Sequence, residues 1–285
     1  MSTTDPYLSS DQALESLLAQ TRADLTQRAL GEVDRVNEDL NNLLYRVSGT
    51  RRSARAQALR GEADTSATLR PLIAGADLEM LGVPGSISSL HPQTLDELIE
   101  FIPDAQPVTA QPGGVIVVLG TLETATETLQ AATRLARRTP GVAHVVLGCP
   151  KSIIPGNHER VRSADEVGET LAEHPDATTY LVLIDSPQAA HARMSEKLAE
   201  AAGAGRVWAC VDAGADVRSL DEWLWHLPGG LRATDLAVAG IWEAERPACV
   251  LELATAVGLL DLAPATPDMW RIILTRRLRE DGWRG

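Results

Sequence analysis

Five short apolar runs recur from position 115 onward: VIVVL (115–119), VAHVVL (142–147), YLVLI (180–184), VWACV (207–211) and LAVAG (236–240). They lack the polar alternation of a strand with one wet face. Strands of this kind are buried on both sides, as in a parallel sheet covered by helices on both faces. Between the runs the apolar spacing turns helical, near 121–138, 163–174, 188–203, 216–227 and 244–258, and Ser163 with Glu166 predicts a capping box. Alternation of this sort predicts an α/β fold, a doubly wound and mostly parallel sheet over 112–285, ending in a C-terminal tail.

The chain ahead of the sheet reads differently. Residues 66–107 predict a small helical subdomain, with helical signals over 69–81 and 93–101 broken by Gly82, Pro84, Gly85 and Pro92. Residues 1–62 predict a long helix and a basic linker. From Asp11 to Val47 there is no proline, and Val33, Val36, Leu40, Leu43 and Val47 step by three and four, the spacing of a narrow apolar stripe. Leu14, Leu18 and Leu25 follow the same rule, out of phase across a slip near Gly31. Such a stripe packs either on the chain's own body or, as a coiled coil, on a partner protein or a second copy.

Charge then limits the partners. With 26 Lys+Arg against 39 Asp+Glu the formal net charge is -13, so a polyanion meets repulsion over most of the surface and nucleic acid is not an expected ligand. The one basic tract, Arg46, Arg51, Arg52, Arg55 and Arg60, reads as a solvated linker or helix face. No apolar run approaches the roughly 18 residues of a membrane span, so no membrane insertion is expected and the sequence reads as cytoplasmic. Cys149, Cys210 and Cys249 are scattered and form neither a disulfide frame nor a metal-ligand spacing. No metal or cofactor is expected.

In a doubly wound sheet the ligand crevice lies beyond the carboxyl ends of the strands. The first strand-to-helix turn reads Gly120-Thr121-Leu122-Glu123-Thr124-Ala125-Thr126-Glu127-Thr128. A phosphate loop G-x-x-x-x-G-K-[ST] needs glycines to let backbone N–H groups close round the phosphates, a Lys to neutralise them and a hydroxyl for Mg²⁺. Here Gly120 alone fits. Ala125 stands for the second glycine, Thr126 for the Lys and Glu127 for the hydroxyl.

The succession of these segments, with RVRSADEVGETLAEHPDATTYLVLIDSPQ, VWACVDAGADVRSLDEW and TDLAVAGIWEAERPACVLELATAVG, resembles the GTPase core of the signal-recognition-particle family, especially its flagellar-placement branch, FlhF. The resemblance covers about 69–262 and implies a P-loop-NTPase-like fold preceded by a small helical domain. It also locates the departures. The family's Asp-Thr-Ala-Gly becomes Asp185-Ser186-Pro187-Gln188, and its base-reading Thr-Lys-x-Asp-Glu becomes Ala239-Gly240-Ile241-Trp242-Glu243. Between Val145 and Gly156, where the family places an Asp and an Arg, the chain offers Lys151 and no acid. The degenerate sites at Ala125, Thr126, Glu127, Gln188, Trp242 and Glu243 imply a pseudo-GTPase serving as an interaction or regulatory scaffold. The alternative is a nucleotide-dependent or phosphoryl-handling enzyme with a divergent loop, using Asp185 and Lys151; a doubly wound domain unrelated to GTPases is a third reading.

Other signals point to structure. Gly156-Asn157-His158-Glu159 has the wording of a metallophosphoesterase element without its companions, and reads as a loop with a solvated His. Gly203-Ala204-Gly205 precedes a strand and reads as a helix stop. Asp185 alone reads as a loop anchor. Trp223, Trp225, Trp242, Trp270 and Trp283 serve an interface or the core.

Overall fold

A computed structural model describes residues 72–103, 111–280 and 282. The stripe at Val33, Val36, Leu40, Leu43 and Val47, the basic tract and Trp283 lie outside the described residues. Among the described residues three short helices come first, α1 (Gly75–Leu81), α2 (Gly85–Ser88) and α3 (Leu95–Glu100). There follow β1 (Val115–Gly120), α4 (Ala125–Arg138), β2 (Ala143–Leu147), α5 (Ala164–Glu173), β3 (Thr178–Ile184), α6 (Ala189–Ala202), β4 (Arg206–Asp212), α7 (Val217–Trp225), β5 (Asp235–Ala239), β6 (Ala256–Leu260), β7 (Ala263–Pro264) and α8 (Pro267–Glu280).

The strands lie in the order β2-β3-β1-β4-β5-β6-β7, parallel throughout except for β7, which runs antiparallel to β6. Alternation along β1 shows why its run had to be apolar on both sides. Ile116 and Val118 pack with Ala131, Ala132 and Leu135 of α4, while Val117 and Leu119 pack with Val167 of α5 and Leu198 of α6. A third cluster joins β4, β5 and β6 to α7 and α8, and α1 and α3 contribute Leu78, Leu81, Leu98 and Ile99 to it.

Two regions depart from the sequence reading. The helix expected over 244–258 is a 3₁₀ segment, Pro247–Glu252, followed by a sixth strand, β6. Pro247 enters the segment without an N–H to donate. Gly258 then belongs in a strand, because a Cβ there would lie 2.3 Å from Cη2 of the buried Trp208. The expected tail contains the fourteen-residue α8, whose Trp270, Ile273, Leu274 and Leu278 are buried.

The cap of α5 also shifts by one position. Ser163 Oγ accepts from the Glu166 N–H at 3.2 Å, but the Glu166 carboxylate reaches past Ser163 to the N–H of Arg162, 2.8 Å away. The helix stop at Gly203 is as expected, with α6 ending there in the left-handed region at φ 53°.

Candidate functional site

The carboxyl ends of β1, β3, β4, β5 and β6 place Gly120, Asp185, Asp212, Gly240 and Asp261 along one rim. In the turn after β1, Thr124 and Thr128 are buried, and their hydroxyls fill the space the turn encloses. The Thr121 N–H donates to Thr124 Oγ1 at 3.0 Å, Thr124 Oγ1 donates to the Cys210 carbonyl at 3.4 Å, and Thr128 Oγ1 donates to the Thr124 carbonyl at 2.6 Å. Gly120 is needed for this contact: a Cβ there would lie 1.9 Å from Thr128 Oγ1 and 2.8 Å from Thr124 Oγ1. α4 begins at Ala125, which is buried, whereas Thr126 is exposed and Glu127 half-buried. The Glu123 carboxylate is held below its ordinary range by the Thr121 hydroxyl.

At β5 the turn is closed by an anion of the chain's own. Successive N–H groups of Gly240, Ile241 and Trp242 donate to the Asp261 carboxylate at 2.6, 2.9 and 3.3 Å. Converging backbone N–H groups of this kind form an anion-binding concavity. Asp261 reaches it from a left-handed backbone, φ 43°, followed by Leu262 at φ 68°. Burial pushes the Asp261 carboxyl up, against the pull of those three donors. Trp242 is thereby fixed through its backbone, and its ring lies 5.5 Å beneath the Arg276 guanidinium of α8. Glu243 is exposed.

Between these turns lies a cavity of about 160 Å³ lined by Glu127, Gln130, Ala131, Cys210, Ala237, Asp261 and their neighbours. Two of its walls are carboxylates, and among the described residues no Lys or Arg lines it. Burial pushes the Cys210 thiol up to about 12, so no thiolate nucleophile stands there at neutral pH. A larger hollow, about 740 Å³, lies among α1, α2 and the segment to Gln93, where Glu79 and His91 are the titratable lining residues among those described.

The remaining sequence candidates are anchored separately. Asp185 Oδ2 accepts from Trp223 Nε1 at 2.9 Å, tying the end of β3 to α7, and its N–H donates to the Gly120 carbonyl at 2.7 Å. Gln188 is exposed at the start of α6, its N–H donating to Ser186 Oγ at 3.2 Å. Lys151 is exposed. The next cation along that loop, Arg160, turns inward and donates to the carbonyls of Cys149 and Ile154, both at 2.5 Å. Among the tryptophans Trp270 is core, Trp223 and Trp242 are half-buried, and Trp225 is 63% exposed. His158 is exposed, in keeping with a solvated loop.

Sequence reasoning missed Asp261 and the threonine filling. The Asp follows the apolar run AVGLL and would have stood out as a strand-end carboxylate had that run been read as a strand.

Solved structures similar to this chain include chloroplast FtsY from Physcomitrella patens (15% identity, 69% of this chain and 84% of that one, TM-score 0.49). FlhF complexed with GTP/Mg²⁺ is another (11% identity, 70% and 96%, TM-score 0.48). A third is the signal recognition particle 54 kDa protein from Aeropyrum pernix K1 in complex with GDP (12% identity, 82% and 62%, TM-score 0.39). The chain is similar in fold to these GTPases. At these identities the likeness is of fold alone. No protein-family model and no curated protein matches the sequence.

Proposed function

We propose that the chain is a non-catalytic, GTPase-like scaffold that works through protein contacts and not through a bound nucleotide. The observation that carries this reading is the filled turn after β1: the Thr124 and Thr128 hydroxyls occupy the inside of the turn, and the Thr121 N–H is already used. A phosphate entering there would have to displace buried, hydrogen-bonded hydroxyls. It would also approach Glu123 and Glu127 with no Lys in the turn to compensate. At an effective dielectric near 20, two like charges about 4 Å apart repel by roughly 4 kcal/mol, nearly three decades in affinity. The second anion-binding turn, after β5, holds the Asp261 carboxylate. The cavity between the turns, about 160 Å³, is smaller than the roughly 300–1,000 Å³ of ordinary ligand pockets.

A scaffold needs a contact surface. In this reading the apolar stripe Val33, Val36, Leu40, Leu43 and Val47 supplies it, engaging a protein partner or a second copy.

Calorimetry with GTP and ATP, with and without Mg²⁺, tests the proposal on the unmodified chain and on Thr126→Lys. Both proteins are expected to show no binding tighter than about 1 mM, because the Lys restores one charge and leaves the turn full. Micromolar binding by the unmodified chain would overturn the reading and favour an enzyme with a divergent loop.

A further inference from the structure

Three ligand-type side chains meet along the β2 edge of the sheet. His144 is the second residue of edge strand β2. Glu159 sits where the chain returns beside that strand, its carbonyl accepting from the Leu147 N–H at 2.9 Å. His174 closes the C-terminus of α5. His144 Nε2 lies 2.7 Å from Glu159 Oε2, and the two imidazoles meet edge to face with centroids 4.4 Å apart. One nitrogen or oxygen from each of the three lies within 4.8 Å of the other two.

We propose that His144, Glu159 and His174 form a binding site for Zn²⁺, with water completing the coordination. Two imidazoles and one carboxylate are a donor set that zinc takes in open, four-coordinate sites, and imidazole nitrogen favours zinc over the hard cations Mg²⁺ and Ca²⁺. Zinc bonds of about 2.0–2.2 Å set at tetrahedral angles bring ligand atoms to roughly 3.3–3.5 Å from one another. The His144–Glu159 pair must therefore open by less than about 1 Å, and the widest pair must close by at most about 1.5 Å. Two of the three side chains, Glu159 and His174, are exposed and can make that adjustment by rotation.

A simple His–Glu ion pair would explain the first contact, but it does not require the second imidazole. What the third residue adds is a ligand from a separate element, so that one cation fastens β2, the returning loop and the end of α5. The affinity should be moderate. His144 Nδ1 is buried without a hydrogen-bond partner. The outer partner that usually orients a ligating histidine is worth 10–100-fold in affinity.

The test is titration of the full, tag-free chain with ZnCl₂, read by calorimetry and by thermal unfolding. One equivalent is expected to bind. Free zinc at a hundred times its dissociation constant multiplies the folding equilibrium about 100-fold, which for a body of this size raises Tm by roughly 5–10 °C. His174→Ala and Glu159→Gln, both at exposed positions, should each weaken binding at least tenfold while leaving the metal-free Tm within about 2 °C of wild type. Co²⁺ in place of zinc should give visible bands of a four-coordinate nitrogen and oxygen site, lost in His174→Ala. Absence of binding up to about 100 μM zinc would overturn the proposal. So would binding that survives both substitutions, since the cation would then be held elsewhere.

Discussion

At the carboxyl end of the sheet the polar groups are met mostly by neighbouring N–H groups, whereas at the amino end the strongest contact joins two opposite charges. On the first side Asp261 accepts from three backbone N–H groups, Asp212 Oδ1 from the Gly214 N–H at 2.7 Å, and Asp185 from the Trp223 indole. On the second side Arg206 and Asp235 meet in two bonds of 2.6 Å, Nε to Oδ2 and Nη2 to Oδ1, with the Asp235 side chain 2% exposed. Thr234 Oγ1 adds a third donor at 2.7 Å, and the guanidinium lies 5.6 Å over the Trp208 ring. The contrast separates two uses of charge. A carboxylate that takes backbone donors shuts a turn that could otherwise accept an anion, while a carboxylate that takes a guanidinium joins two strands at their first residues.

The largest effect should come from breaking the second kind. Asp235→Ala takes from the poorly exposed Arg206 guanidinium its buried carboxylate, and removal of one member of a buried pair typically costs 3–5 kcal/mol. Chemical denaturation is expected to show a loss in that range. The double replacement Arg206→Met with Asp235→Leu should recover most of it, because a well-packed apolar pair can match a buried ion pair. A loss below about 1 kcal/mol for Asp235→Ala would mean that the pair is solvated and the two ends of the sheet are more alike than their geometry indicates.

An intermediate effect belongs to the turn after β1. Gly120→Ala puts a methyl 1.9 Å from Thr128 Oγ1, so α4 or the strand end must shift, at about 1–3 kcal/mol for overpacking. If the hydroxyl is the obstacle, Thr128→Ala in the same chain should relieve part of the loss, and a double-mutant cycle measured in urea should give a coupling above about 0.5 kcal/mol. Strict additivity would show that Gly120 serves a backbone requirement instead, which would weaken the case that the turn is filled.

Legibility in the sequence divides along the same line. The five runs from VIVVL to LAVAG announced β1 to β5 because burial on both faces leaves only apolar residues, and β1 to β5 are where those runs predicted them. β6 was missed because AVGLL follows a stretch of helix-compatible residues, and only the Trp208 ring across the sheet explains its glycine. α8 lies in what the sequence analysis reads as a C-terminal tail, although Met269, Trp270, Ile273, Leu274 and Leu278 keep helical spacing. At the site, the loss of Lys from the turn was visible as a letter. That Thr124 and Thr128 point inward was not, because a hydroxyl's direction depends on how α4 crosses β1. The grip of Asp261 on residues about twenty positions earlier was equally hidden, being a product of strand order.

The smallest and most discriminating effect concerns Asp261, where two influences oppose. Burial raises its carboxyl above the ordinary value and outweighs the three N–H donors, and the nearby Glu243 charge adds to the rise. A carboxyl raised on folding takes up protons as the chain folds. Its contribution to stability is therefore complete below the ordinary carboxylate range and is lost as pH climbs through the raised value. In Asp261→Asn this titration is absent, and the amide oxygen can still accept from the turn. Stability curves at about pH 4 and pH 7 should show wild type losing ground to the variant as pH rises, by on the order of 1 kcal/mol or less. The opposite slope, wild type gaining on Asp261→Asn toward pH 7, would mean that the three donors win and that the turn holds its carboxylate as firmly as it would hold a bound anion. That result would make the closure of the second turn stronger, and a vacated turn in Asp261→Ala would then be the place to look for phosphate binding.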